Sequence, residues 1–217
     1  MKRIISVLAL LVVIPFSNLY TQGIGELAPP KPPEIFPDNS WGMDIMFGEA
    51  GFGLGSFYRK QLSMKWTAFA DLSISEVKDE REFEFYDPFF GISFTVNKKN
   101  RVFTIPVNFG LQYRIFENVI YDNLRPYINF GAGPTLVLTT PYEKEFFNAF
   151  GDTKTKTAVG GYVGFGANFG LDKSSLIGLN FRYYYTHFFD EGVESLFGRY
   201  KKNIGSFFVT LNIGLMY

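Results

Sequence analysis

The chain has 217 residues, with 21 Lys and Arg balanced by 21 Asp and Glu, a single His and no Cys. The even charge balance lacks the basic footprint of a nucleic-acid binder, and the missing cysteine excludes disulfides, thiolate chemistry and Cys-based zinc sites. A 19% aromatic content, with 26 Phe and 13 Tyr beside 22 Gly, suits neither a disordered chain nor a helical bundle.

Lys2 and Arg3 open the chain, and residues 4–16, IISVLALLVVIPF, form an apolar run of thirteen. That is too short to cross a bilayer comfortably, and it has the layout of a secretory signal. The expected signal covers residues 1–22, with cleavage near Thr21; a retained N-terminal anchor is the alternative. Losing Lys2 and Arg3 leaves 19 basic against 21 acidic groups, a mature net charge of about −2. Residues 23–40 come next, with five of the eleven prolines between Pro29 and Pro37. Such a stretch is expected to be an extended periplasmic tether without sheet or helix.

From residue 41 onward the pattern has period two. In SWGMDIMFGEAGFGLGSFYRKQ the apolar residues Trp41, Met43, Ile45 and Phe47 are odd-numbered, whereas Phe52, Leu54 and Tyr58 are even-numbered. A continuous strand keeps its parity, so the chain turns or bulges at GEAG, residues 48–51. A tight hairpin pairing Phe47 with Phe52 makes two strands there. Further alternating runs give eight strands, at 41–47, 51–60, 65–77, 101–116, 125–139, 157–171, 175–189 and 204–217. A rival count joins 41–60 into one strand and adds another at FFGISFTV, 89–96.

Most runs are ten to fifteen residues long, whereas strands of soluble proteins usually have five or six. A tilted strand needs about nine to eleven residues to cross a bilayer. The large apolar residues share one face of each strand; the other is mixed and mostly small or polar, rich in Gly and Asn and poor in Lys and Glu. That distribution puts the apolar face against lipid and the polar face in a narrow lumen. Trp66, Tyr113, Tyr183, Tyr185 and Tyr217 lie near strand ends on the lipid face, where aromatic girdles form. The connections QLSMK, ENVIYDN and LDKS are short and are expected at the periplasmic side. Residues 78–100, 140–156 and 190–203 are longer, more charged and expected outside; KDEREFEFYDPFF within the first suggests a projecting hairpin. The fold class is therefore all-β, an eight-stranded antiparallel up-and-down transmembrane β-barrel.

The last strand, IGSFFVTLNIGLMY, has Phe207, Val209, Leu211, Ile213, Leu215 and Tyr217 on one face. Together with RPYINFGAGPTL, GYVGFGANFGL and GLNFRYYYTH, it resembles the small outer-membrane β-barrel family of Gram-negative bacteria, the OmpA-, OmpX- and OmpW-like proteins, over residues 41–217. The resemblance implies insertion in the outer membrane after Sec-dependent export, as a monomer in contact with outer-membrane lipid and lipopolysaccharide. It also implies that Val209, Leu211, Ile213, Leu215 and Tyr217 form the signal read by the barrel-assembly machinery. Unlike in full-length OmpA, no peptidoglycan-binding domain is expected after the barrel. Ending on a strand is expected to let the last strand pair with the first, which removes both sheet edges.

Chemistry is sparse. His187, in YYYTHFFDEGVES, is followed by Asp190, Glu191, Glu194 and Ser195. A Ser/His/carboxylate set there could activate a hydroxyl, as in outer-membrane lipid A deacylases, and an Asp/His pair could activate water. No nucleophile motif surrounds Ser195 or Ser175, so His187 reads as a loop or girdle residue. The Gly-x-Gly runs sit inside strands with no helix following, and relieve crowding instead of cradling phosphate. Asp44, Arg59, Asp71, Arg114 and Arg182 all take the inward parity and are expected to pair into a lumen network that closes the bore. The expected function is a non-enzymatic envelope protein that gives structural support or binds surfaces through its loops, with no cofactor or metal. A small passive channel for ions or hydrophobic solutes, and a lipid-modifying enzyme using His187, are the alternatives.

Overall fold

The computed structural model describes residues 35–49, 51–117, 120, 123–170 and 173–217. The expected signal peptide and most of the proline-rich tether lie outside the described residues. Twelve strands follow in chain order: β1 Asn39–Gly48, β2 Gly51–Gln61, β3 Trp66–Val77, β4 Glu84–Asp87, β5 Ile92–Thr95 and β6 Asn100–Arg114; then β7 Leu124–Pro141, β8 Lys154–Phe169, β9 Ser175–His187, β10 Val193–Leu196, β11 Arg199–Lys201 and β12 Asn203–Met216. One helical turn, α1 Phe146–Ala149, lies between β7 and β8.

Eight of these strands close into a barrel in the order β1-β12-β9-β8-β7-β6-β3-β2, antiparallel at every seam. Alternation decides the wall. Trp41, Met43 and Phe47 of β1 are exposed on its outside, while Gly42, Asp44 and Met46 are buried within it. The same outward belt includes Phe109, Val163, Phe165 and Tyr183, all large and exposed. A belt of this kind around a closed sheet is the lipid-facing surface of a membrane barrel. No described helix is long and apolar enough to cross a membrane.

The phase flip at residues 48–51 is a hairpin: Phe47 pairs with Phe52 and Gly48 with Gly51. The two rings meet edge-on at 5.8 Å, and Gly51 has φ +131°, a conformation that Gly adopts without strain. The rival count therefore fails. Residues 92–95 do form a strand, but it pairs with β4 in a separate two-stranded sheet outside the barrel wall. Closure follows from the chain ends: Tyr217 N–H donates to Asn39 O at 2.9 Å, and Asn39 N–H donates to Tyr217 O at 3.2 Å. The first strand starts at Asn39, two residues before the expected boundary. Phe36 is also buried, among Phe57, Leu176 and Met216.

Apart from the β1–β2 hairpin, which turns at the long-loop end, the connections sort by length. The connections after β2, β6 and β8 are short and lie at one end, with both ends of the barrel sheet. Residues 78–99, 142–153 and 188–202 are long loops at the other, which in outer-membrane barrels is the extracellular end.

Candidate functional site

The lumen is the first candidate. Arg182 of β9 points inward and donates from Nη1 to Asp44 Oδ2 of β1 at 2.7 Å, with both side chains almost fully buried. Asp71 of β3 lies 4.0 Å from the same guanidinium. Its carboxylate accepts from Tyr162 Oη at 2.8 Å and from Asn108 Nδ2 at 3.0 Å. Arg182 also donates to Tyr184 Oη at 3.3 Å. Asn212 Nδ2 donates to Asp44, and Tyr127 Oη donates to Asn212 Oδ1 at 3.3 Å. Two carboxylates thus share one guanidinium, and phenol and amide groups fill their remaining acceptor positions, as buried charge requires.

Of the five charged residues with inward parity, the structure brings Asp44, Asp71 and Arg182 together. Arg59 stands apart: its Nη1 donates to Asn168 Oδ1 at 3.2 Å, and its guanidinium lies 4.1 Å from the centre of the Phe57 ring. Arg114, at the end of β6, donates to the carbonyl of Ile120 in the following turn at 3.3 Å. Both line a cavity of about 420 Å3 at the short-turn end, together with Gln112, Tyr127 and Asn168.

Large side chains fill much of the bore around and above the charge cluster, beside the buried hydroxyls of Ser73, Ser75, Thr104 and Thr135. Met46, Phe69, Tyr162, Tyr184 and Phe208 point inward and pack with Val77, Val102, Val137 and Ile204. Phe188 and Val193, from the loop after β9, complete this core. The expected small and polar inner face therefore holds only in part: large rings occupy it on several strands. Glycine and other small residues opposite give them room. A Cβ on Gly164 would sit 2.6 Å from Asn129 Oδ1 and 2.7 Å from the carbonyl of Phe181, so this wall position tolerates no side chain.

The long loops are the second candidate. Glu82 is fully buried; it accepts from Ser195 Oγ, and Lys98 Nζ lies 3.0 Å away. Lys99 N–H donates to Ser195 O at 2.7 Å, and Asn100 Nδ2 donates to Glu194 O at 2.7 Å. Lys201 reaches Asp79 at 3.6 Å. These bonds fasten the loop after β3 to the loop after β9. Burial alone would raise the Asp79 carboxyl, but hydrogen bonds and charge from Arg81, with Lys201, hold it below its ordinary value. The Lys99 hydrogen bond, helped by the Gly198 N–H, lowers Glu194.

Beyond that anchor the β4–β5 hairpin stands free. Phe85 stacks on Phe94 with centroids 6.1 Å apart. At its tip Asp87 Oδ1 accepts from the N–H groups of Phe89 at 2.8 Å and Phe90 at 3.3 Å. Phe89 is 87% exposed, and Phe83, Tyr86 and Phe90 are comparably bare. The sequence run of alternating charge and aromatics signalled the projection but not its exposure.

His187 closes β9 on the outer surface. Its Nδ1 lies 2.6 Å from Asn203 Oδ1, and its ring meets Phe189 edge-on. The residues read beside it go elsewhere: Asp190 to Lys156 at 2.8 Å, Glu194 to Lys99, and Ser195 to the buried Glu82. The structure does not bring His187 and Ser195 into hydrogen-bond contact. Val209, Leu211, Ile213, Leu215 and Tyr217 share the outer face of the closing strand, with the last three exposed.

Among solved structures the chain is similar to Neisserial surface protein A, with 10% identity over 82% of this chain and 94% of that one, at a TM-score of 0.49. It is similar to the N-terminal barrel domain of Pseudomonas aeruginosa OprF, with 11% identity over 82% and 97% of the two chains, at 0.46. It is also similar to Ail, the attachment invasion locus protein of Yersinia pestis, with 12% identity over 83% and 99%, at 0.40. No curated protein matches the chain. Residues 36–217 match the outer membrane protein beta-barrel domain, and with the closed eight-stranded wall in hand, the chain belongs to that family of outer-membrane barrels.

Proposed function

We propose that this protein is a non-enzymatic, non-conducting barrel that supports the outer membrane and binds partner surfaces outside the cell through its loops. The observation that carries this reading is the exposed aromatic hairpin at residues 84–95. Its rings are bare on both faces and at the tip, while its base is fastened by buried ion pairs. Contiguous exposed apolar surface on a fixed support marks an interaction site. Closure of the bore is supported by the Asp44–Arg182–Asp71 cluster and by the apolar core above it. Export through the Sec route, assembly through the terminal strand, a monomeric state and contact with lipid and lipopolysaccharide belong to the same proposal.

The test uses cells displaying either the natural chain or a Phe89→Ser/Phe90→Ser variant at equal surface level. Binding to immobilised phospholipid vesicles and to extracellular-matrix proteins is compared. At least a fivefold loss on one surface supports the proposal; equal binding on every surface removes the hairpin from the role. Stable, large conductance in planar bilayers would remove the closed bore.

A further inference from the structure

The surface-binding role uses the extracellular end, yet a cavity lined by arginines opens at the opposite end. It holds about 420 Å3, within the range of small-molecule sites. Its described lining includes Arg59, Arg114 and Arg125 against a single acidic residue, Asp38. Arg59 is only 4% exposed, and no carboxylate of a described residue lies within salt-bridge distance of Arg59 or Arg114. Among the described residues, the hydrogen-bond and ring partners of Arg59 are the Asn168 amide and the Phe57 and Tyr127 rings, all neutral. The Nε of Arg114 is buried and has no hydrogen-bond partner among the described residues. Arg125 lies 3.8 Å from the centre of the Phe36 ring, which fixes one wall.

Elsewhere in the molecule, buried charge is answered by opposite charge: Arg182 by Asp44, Lys98 by Glu82. Here two guanidiniums on different strands line one cavity whose single described carboxylate, Asp38, lies beyond salt-bridge distance of both. A buried cation in that condition calls for an anion, and a guanidinium presents a planar fork that matches carboxylate and phosphate oxygens. Leu176 and Met216 add an apolar side to the same cavity, which suits an organic anion better than a bare ion. The apolar core and the fastened loops shut the far end, so access is from the short-turn side, the periplasmic side of such barrels.

We infer that this cavity binds a small organic anion, recognised at a carboxylate or phosphate group by Arg59 and Arg114, from the periplasmic side. Its source is either a soluble periplasmic anion or a phospholipid headgroup of the inner leaflet. The inference is independent of the surface-binding role.

The experiment is calorimetric titration of the full mature protein in zwitterionic detergent with three probes: inorganic phosphate, citrate and dihexanoyl phosphatidic acid. Saturable binding of at least one probe is expected, weakened tenfold or more by Arg59→Gln and by Arg114→Gln and unchanged by Lys144→Gln in an outer loop. Binding of the lipid at least tenfold tighter than phosphate or citrate assigns the headgroup source; the reverse order assigns the soluble one. Retained gel mobility of the unboiled protein controls for folding. If Arg59→Gln does not fold, Arg114→Gln at the rim carries the test alone. No saturable binding of any probe, or binding that survives loss of the arginine, overturns the inference.

Discussion

Replacing Arg182 with Met probes the lumen cluster most directly. The Arg182 and Asp44 side chains are 2% and 1% exposed and 2.7 Å apart, and Asp71 lies 4.0 Å from the same guanidinium. At an effective dielectric constant of about 20, the Coulomb attraction is roughly 6 kcal/mol at the shorter distance and roughly 4 kcal/mol at the longer. Desolvation of three charged groups offsets most of that. What remains after Arg182→Met is worse than a missing attraction, because two carboxylates then share a packed bore with no cation between them. Loss of one partner from a buried pair costs about 3–5 kcal/mol. With a slope of about 2 kcal/mol per molar urea, the unfolding midpoint should fall by about 2 M. The assay is urea unfolding of the protein in lipid vesicles, followed by tryptophan fluorescence and by mobility of the unboiled protein on gels. Asp44→Asn and the double variant complete a cycle, in which the double variant should be more stable than Arg182→Met alone. A coupling of about 2–3 kcal/mol is expected. A midpoint for Arg182→Met within about 0.3 M of the natural protein, or additive single effects, would refute the reasoning.

Acid should loosen the outer loops before it affects the wall. Asp79, Glu194 and Asp190 are all held below their ordinary values, so their ionised forms stabilise the folded loops above the unfolded carboxyl range near pH 4, and that contribution disappears as pH falls through the lowered values. Hydrogen exchange at 78–99 and 188–202 should therefore rise, after correction for the intrinsic rate, between pH 5 and about 2, with the barrel strands unchanged. Gly164→Val should destabilise by about 1–3 kcal/mol through overpacking against Asn129, whereas Gly151→Ala, where a Cβ meets nothing within 4 Å, should be neutral within about 0.5 kcal/mol in the same urea assay. Deleting Tyr217 removes two closing hydrogen bonds and the terminal aromatic ring. Outer-membrane yield in cells should drop severalfold while refolding into detergent persists; equal loss in both would assign the residue to stability alone.

Alternation along each strand was legible from residues alone, because side chains leave a strand on alternate sides whatever the rest of the chain does. That period placed Trp41, Phe109 and Val163 outside and Asp44, Asn108 and Arg182 inside. The parity change at residues 48–51 required a turn or a bulge for the same local reason, and the closed sheet makes it a hairpin in which Phe47 faces Phe52. The aromatic and charged run at 78–90 announced a projection, and β4 and β5 form it.

Height along the bore was not legible. Parity states which way a residue points, but its level depends on the stagger between neighbouring strands, which hydrogen-bond register sets only once the barrel closes. Asp44 and Arg182, 138 positions apart, reach one level, while Arg59 and Arg114 share their parity and lie at the short-turn end. The same register brings Tyr162 and Phe208 into the upper bore opposite small residues, and aims Phe188 and Val193 back down from a loop. Local period thus determined the wall and its two solvents, and only the closed sheet decided which charges meet, where the bore is filled and where the cavity remains.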